Sequence, residues 1–333
     1  VLRLFGATEA ILPHAEAYLS VILFGIPLQM FAMVGNHTAR AEGRARIAMT
    51  SMLISAILNM ILDPVFIFGF GWGMRGAAVA TVLSQMVMFL WIFGYFYRGK
   101  SALSLGREYL VPSAGLLREI VAVGSSEFVR MAAGSFSIVL INGALVHWGG
   151  DLHVAVYGVI NRALSFFFMP LMGIAQGFQP ILGYNYGAGN LDRARRVIRL
   201  AVTASTALAL IGFTTAQVFP REIFRLFSGD QALISEGIRA MSLISMAFFL
   251  IGFQITGSAM FQALGKARPA FLLSLSRQVL LLIPLVLVLP GFLGTRGVWI
   301  SFPLADTGSF LLTLFLFRKE LRNLSVSGPV GDD

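Results

Sequence analysis

The chain of 333 residues is 57% apolar and only 12% charged, with a formal net charge of +9 and a mean hydropathy of +0.80. A soluble domain carries about 25% charged residues, so the polar surface of a soluble fold is missing and the composition reads as an integral membrane protein. The lack of cysteine excludes a disulfide framework, thiolate-ligated zinc, an iron–sulfur cluster and a thiol nucleophile.

Apolar stretches long enough to cross a hydrocarbon core about 30 Å thick run at roughly 15–38, 45–69, 76–97, 116–147, 153–182, 193–217, 233–263, 268–290 and 296–318, nine in all. They are continuous and rich in Leu, Ile, Ala, Phe and Met, without the short alternating segments of a barrel, so they predict helices. The fold class is therefore an all-α polytopic membrane protein. Short interfacial helices are expected near 103–112 and near 220–228, where Phe219, Phe224 and Phe227 mix with Arg221 and Arg225.

The 25 Lys and Arg lie mostly in the gaps between these segments, not on one face or tail, so no nucleic-acid partner is expected. They are biased sixteen to six between alternate gaps, with clusters such as Arg40/Arg44/Arg46 and Arg318/Lys319/Arg322 on the rich side. By the positive-inside rule this predicts a multi-pass protein of the plasma (inner) membrane with a cytoplasmic C-terminus.

An internal repeat is visible. The run from Ala41 to Arg46 returns as Ala263 to Arg268, 222 residues later, and Arg75-Gly76 returns as Arg296-Gly297 at an offset of 221. Six segments separate the equivalent points, an even number, which predicts a parallel repeat. The expected organisation is 1–100 as the second half of an N-lobe, 101–115 as a cytoplasmic linker, 116–322 as a six-helix C-lobe and 323–333 as a polar tail. On this arithmetic about three helices are expected ahead of Val1, and the complete protein would hold twelve in two lobes.

Polar residues inside spans are costly, about 2.5–3.5 kcal/mol for a mid-bilayer carboxylate. Asn59 and Asp63 stand at i and i+4 on one helical face, and Pro64 frees the carbonyl of residue 60 beside them. An amide, a carboxylate and a loosened carbonyl suit a hard cation or a titrating proton; the alternative is a pair that holds helices together. The repeat places leucines, Leu281 and Leu285, at the equivalent positions, so the pair belongs to one lobe. Glu127 and Arg130 are spaced i, i+3 in the fourth span and read as an internal ion pair, or as a carboxylate responsive to substrate or protons. Asn161-Arg162, Arg277-Gln278 and Asp306 read as structural.

Pro27, Pro64 and Pro180 are hinge candidates, and the glycine-rich run from Gly173 to Gly189 predicts a loosened helix end with tight packing. The four histidines lie near span ends with no HExxH spacing, and no Walker-A loop is present, so neither an enzyme nor an ATP-driven pump is expected and no cofactor is called for.

The runs beginning Asn59-Met-Ile-Leu-Asp-Pro, Gly76-Ala-Ala-Val-Ala-Thr, Gly173-Ile-Ala-Gln-Gly-Phe-Gln-Pro and Phe261-Gln-Ala-Leu-Gly-Lys resemble the multidrug and toxic compound extrusion family, prokaryotic branch, over roughly residues 2–320. The resemblance implies twelve helices in two lobes and export of organic cations or amphipathic drugs in exchange for H⁺ or Na⁺. It implies a cation site in which Asn59 and Asp63 are joined by Thr81, which would hold Na⁺ where that is the coupling ion; an acid on the family's first helix would complete it. The lipid bilayer and small-molecule cargo are the expected partners of a monomer. A lipid-linked saccharide flippase of the same superfamily is the alternative.

Overall fold

The computed structural model describes residues 12–98, 101–103, 106 and 113–326. Nine helical segments among them are long and apolar enough to span a membrane, from Glu16–Ala41 to Thr295–Arg322. They lie within a few residues of the expected spans, except that the apolar window in the fourth begins at Met131 although its helix starts earlier. The described residues fall into two compact units, within Val1–Pro112 and Ser113–Asp333.

The first unit holds α1 (Leu12–Ala41), α2 (Ala45–Pro64) and α3 (Gly73–Tyr97). α3 packs against both others, using small residues that let backbones approach: Ala32, Ala39, Ala48, Ala78 and Ala80 are fully buried. Ile92, Tyr95 and Phe96 close one end over Ala39. Inside, Ser51 Oγ donates to Asn36 Oδ1 at 2.7 Å. Large side chains such as Phe24, Met60 and Phe68 point outward, as expected where the solvent is lipid. After Pro64 the backbone widens into a π turn, Val65–Gly69. Phe70 N–H then reaches back to the Val65 carbonyl at 2.9 Å, and Trp72 N–H to the Phe66 carbonyl at 3.1 Å. The rings of Phe66, Phe70 and Trp72 stack over this turn with centroids 5.3–5.6 Å apart.

The second unit holds α4 (Ala114–Gly149), α5 (Asp151–Gly187), α6 (Leu191–Val218), α7 (Pro220–Phe227), α8 (Gln231–Ile244), α9 (Ile251–Ala263), α10 (Ala267–Leu275), α11 (Ile283–Val288), α12 (Pro290–Leu293) and α13 (Thr295–Val326). A 3₁₀ stretch, Ser245–Leu250, joins α8 to α9 as one span, and a π turn, Ser276–Leu282, joins α10 to α11. α7 is a short helix where one is expected, near 220–228. Pro220 starts it, Phe224 is fully buried with its ring against Gly237, and Leu226 is exposed. The short helix expected over 103–112 falls almost wholly outside the described residues.

The two matching hexapeptides fold into the same turn, a turn that the chain uses again at 188–190. Between α1 and α2, Glu42, Gly43 and Arg44 donate their N–H groups to the carbonyls of Thr38, Arg40 and Ala39 at 2.8–3.0 Å. Between α9 and α10, Leu264, Gly265 and Lys266 donate to Met260, Gln262 and Phe261 at 2.9–3.1 Å. The turning glycines, Gly43 and Gly265, have φ of +76° and +70°, a region that favours glycine. Gly76 and Gly297 likewise press against backbone, that of Phe66 and of Leu289. The two π turns do not obey the repeat.

The glycine-rich run differs from expectation. α5 stays helical through Pro170 and Pro180 to Gly187. Gln179 Nε2 donates to Gln262 Oε1 of α9 at 2.6 Å, and a Cβ on Gly183 would touch the Ala263 carbonyl at 3.4 Å. The loosened end is not present, and of the run's glycines only Gly183 meets a neighbour, since a Cβ at Gly173, Gly177, Gly187 or Gly189 would find nothing within 4 Å. α1 also runs unbroken through Pro27, so of the three hinge candidates only Pro64 stands at a change of helix type.

Candidate functional site

The first unit brings Asn59, Asp63 and Thr81 together. Asn59 Nδ2 donates to Asp63 Oδ1 at 3.2 Å, one helical turn along α2, and lies 3.5 Å from Thr81 Oγ1 on α3. The Thr81 hydroxyl spends its proton on the Ala77 carbonyl at 2.9 Å, so its oxygen faces the amide as an acceptor. All three side chains are half-buried. The close approach of Gly76 to Phe66 sets how the start of α3 meets the π turn after α2.

The product is a cluster of side-chain oxygens, from a carboxylate, an amide and a hydroxyl, around one amide nitrogen. Such a set accepts a proton on the carboxylate or coordinates a hard monovalent cation through oxygen. Among the described residues no cluster of three or more His, Cys, Asp or Glu exists.

One turn further along α3, on the face that carries Thr81, lies Gln85, which sequence reading did not single out. Its Nε2 donates to Gln29 Oε1 of α1 at 3.1 Å, while its own Oε1 is buried and takes no hydrogen bond among the described residues. The i, i+4 spacing of Thr81 and Gln85 was the available signal.

Glu127 and Arg130 lie on α4, but their side chains fall outside the described residues. Asp306 and Arg277, each read as structural, prove to be partners. Arg277 Nε donates to Asp306 Oδ1, the guanidinium sits 5.6 Å from the Phe168 ring, and Gln254 Nε2 donates to the Asp306 backbone carbonyl at 2.8 Å. Asp306 is buried. The pair ties the π turn after α10 to α13.

Outside the spans, Glu42 is a second carboxylate with a full set of donors. Its oxygens accept from Ser101 Oγ at 2.5 Å, from Ala102 N–H at 3.1 Å and from the Tyr95 hydroxyl. The Ser101 and Tyr95 hydroxyls hold its carboxyl below the usual value of 4.5. The second unit has a counterpart from other residues: Lys266 Nζ donates to both Glu320 oxygens, at 2.6 and 2.7 Å. Each unit thereby fastens the turn after one span to the far end of its last helix.

Comparison with known proteins agrees with this architecture. The MatE family model matches residues 1–65 and 128–288. The multidrug export protein MepA of Staphylococcus aureus is 28% identical over 326 residues, covering 96% of this chain and 71% of MepA. A solved multidrug resistance MATE family transporter of the MOP superfamily, in an outward-facing conformation, superposes with a TM-score of 0.90 at 26% identity, covering 98% of this chain and 74% of that one. A MOP superfamily transporter from Pyrococcus furiosus, for which a binding pocket of reverse polarity suggests a different function, gives 0.89 at 26% identity, covering 98% and 73%.

Proposed function

Because the chain belongs to the MatE family of multi-pass membrane transporters, we propose that it is a secondary active antiporter that exports organic cations or amphipathic drugs in exchange for H⁺ or Na⁺. The observation that carries the reading is the bridge from Asn59 to both Asp63 and Thr81 across two helices. An ion arriving there neutralises the one carboxylate of the cluster and replaces the amide contacts that link α2 to α3. Ion loading therefore changes both charge and packing in the same place, which is the differential interaction a two-state transporter needs. The membrane potential adds about 2.3 kcal/mol per charge per 100 mV to cation entry.

In this assignment the first unit is part of the N-lobe, the second is the C-lobe, and the C-terminus is cytoplasmic. The relatives' printed function, multidrug export, supports the cargo class. The test is efflux of a fluorescent organic cation from vesicles bearing the protein expressed from its complete reading frame, against imposed H⁺ and Na⁺ gradients. Movement driven by one gradient identifies the ion. No movement under either, with protein inserted, contradicts the antiporter and favours a lipid-linked cargo.

A further inference from the structure

Where α4 hands over to α5, His153 lies between two acceptors. Its Nδ1 donates at 2.6 Å to the carbonyl of Gly149, the last residue of α4 and one of the carbonyls that a helix end leaves without a partner. A carbonyl only accepts, so in the neutral ring Nδ1 carries the proton and Nε2 is a bare lone pair. That lone pair faces a second acceptor, Glu236 Oε2 on α8, at 4.0 Å. The other oxygen of Glu236 takes Arg239 Nη1 at 3.2 Å, which leaves Oε2 turned to the ring. The Trp299 indole of α13 stacks on the imidazole with centroids 6.3 Å apart. Gly149 supplies the notch, since a Cβ there would lie 2.6 Å from the ring's Cγ and Nδ1. Among the described residues, the charged groups that meet the ring from the helices packed on it are Glu236 and, through it, Arg239; α13 brings the neutral indole and α4 the carbonyl. Asp151, on the same helix as His153, is exposed.

A neutral imidazole has one N–H and meets one of these acceptors; an imidazolium has two and meets both. We propose that His153 is a proton-operated clamp: a proton taken up on Nε2 draws Glu236 in from 4.0 Å to hydrogen-bond range and joins the end of α4 to α8 through the ring, and loss of that proton reopens this end of the unit. The setting suits a cation on both sides, with the negative end of the α4 dipole at Nδ1 and a carboxylate at Nε2. Imidazole is the side chain whose charge changes between about pH 5 and 8, so the clamp closes in acid and opens as pH rises through neutrality. It is separate from the ion cluster of the first unit and does not depend on what cargo is carried. Thr295, the start of α13, borders Gly149, so the clamp lies at the opposite end of that span from the C-terminal one. With the cytoplasmic C-terminus proposed above it faces outward, and only that side rests on the earlier reading.

The test is hydrogen exchange of the purified full chain in detergent, read by mass spectrometry on peptides covering 146–156 and 232–240 and corrected for the intrinsic rate. Wild type is expected to be about tenfold better protected there at about pH 5 than at about pH 8, the effect of gaining one charge-assisted hydrogen bond. H153Q and E236Q, neither of which can form the charged pair, should each show the same protection at both pH values. Should one of them not fold, the other must lose the dependence. Equal protection of wild type at the two pH values, or a dependence of wild-type size in either variant, would overturn the proposal.

Discussion

Arg277 and Asp306 face each other inside the second unit, guanidinium Nε to carboxylate Oδ1, 29 positions apart in the chain. Neither charge belongs in such a place alone. Breaking a buried pair by removing one partner costs about 3–5 kcal/mol, whereas replacing both with apolar residues of similar volume is often neutral. Asp306→Asn and Arg277→Gln are therefore each expected to lower the thermal midpoint of the purified protein sharply, and Arg277→Met with Asp306→Leu to restore most of it. Equal loss in the double and single variants would contradict a role confined to mutual neutralisation.

The Glu42 tie should depend on pH in a defined direction. Its carboxyl is held below the usual 4.5 by the Ser101 and Tyr95 hydroxyls. A depressed value means that the tie's contribution is complete above the ordinary carboxylate range and is lost as pH falls through the folded value. Hydrogen exchange at the Ala102 amide, corrected for its intrinsic rate, should show protection that holds at neutral pH and disappears in acid. Glu42→Ala should abolish that protection at every pH.

Gly76 and Gly297 offer a steric test of the repeat. A Cβ at Gly76 would lie 2.7 Å from the Phe66 carbonyl oxygen, and one at Gly297 would lie 2.5 Å from that of Leu289. Neither neighbour is a side chain able to swing away, so Gly76→Ala and Gly297→Ala are each expected to destabilise by about 1–3 kcal/mol. Gly94, also helical, has nothing within 4 Å of its would-be Cβ. Gly94→Ala should be neutral or stabilise by up to about 1 kcal/mol. Equal midpoints for the three variants would contradict the close approaches.

What was legible in the sequence was what depends on local spacing. Span positions follow from continuous apolar runs, the twin turns from Gly43 and Gly265 in matching hexapeptides, and the Asn59–Asp63 contact from one helical turn. Thr81 came through family resemblance, since nothing in its own neighbourhood marks it. The Arg277–Asp306 pair stayed hidden because it is made only when the π turn after α10 meets α13, and the Glu42 donors because Tyr95 and Ser101 reach it only once α3 has folded back along α1. Pro180 misled because a proline inside a long helix need not end it: α5 continues past it to Gly187.

The central claim rests on Asp63. Gradient-driven efflux of a fluorescent organic cation, compared between wild type and Asp63→Asn in vesicles with matched levels of inserted protein, tests it most directly. Asparagine keeps the size and an acceptor oxygen but removes the charge that an entering ion neutralises. The expected result is coupled efflux in wild type and loss of at least about tenfold in the variant, the change that follows from some 1.4 kcal/mol of lost ion binding, with insertion intact. Efflux in Asp63→Asn equal to wild type under the same gradient would contradict the account and leave the residue as a contact between helices.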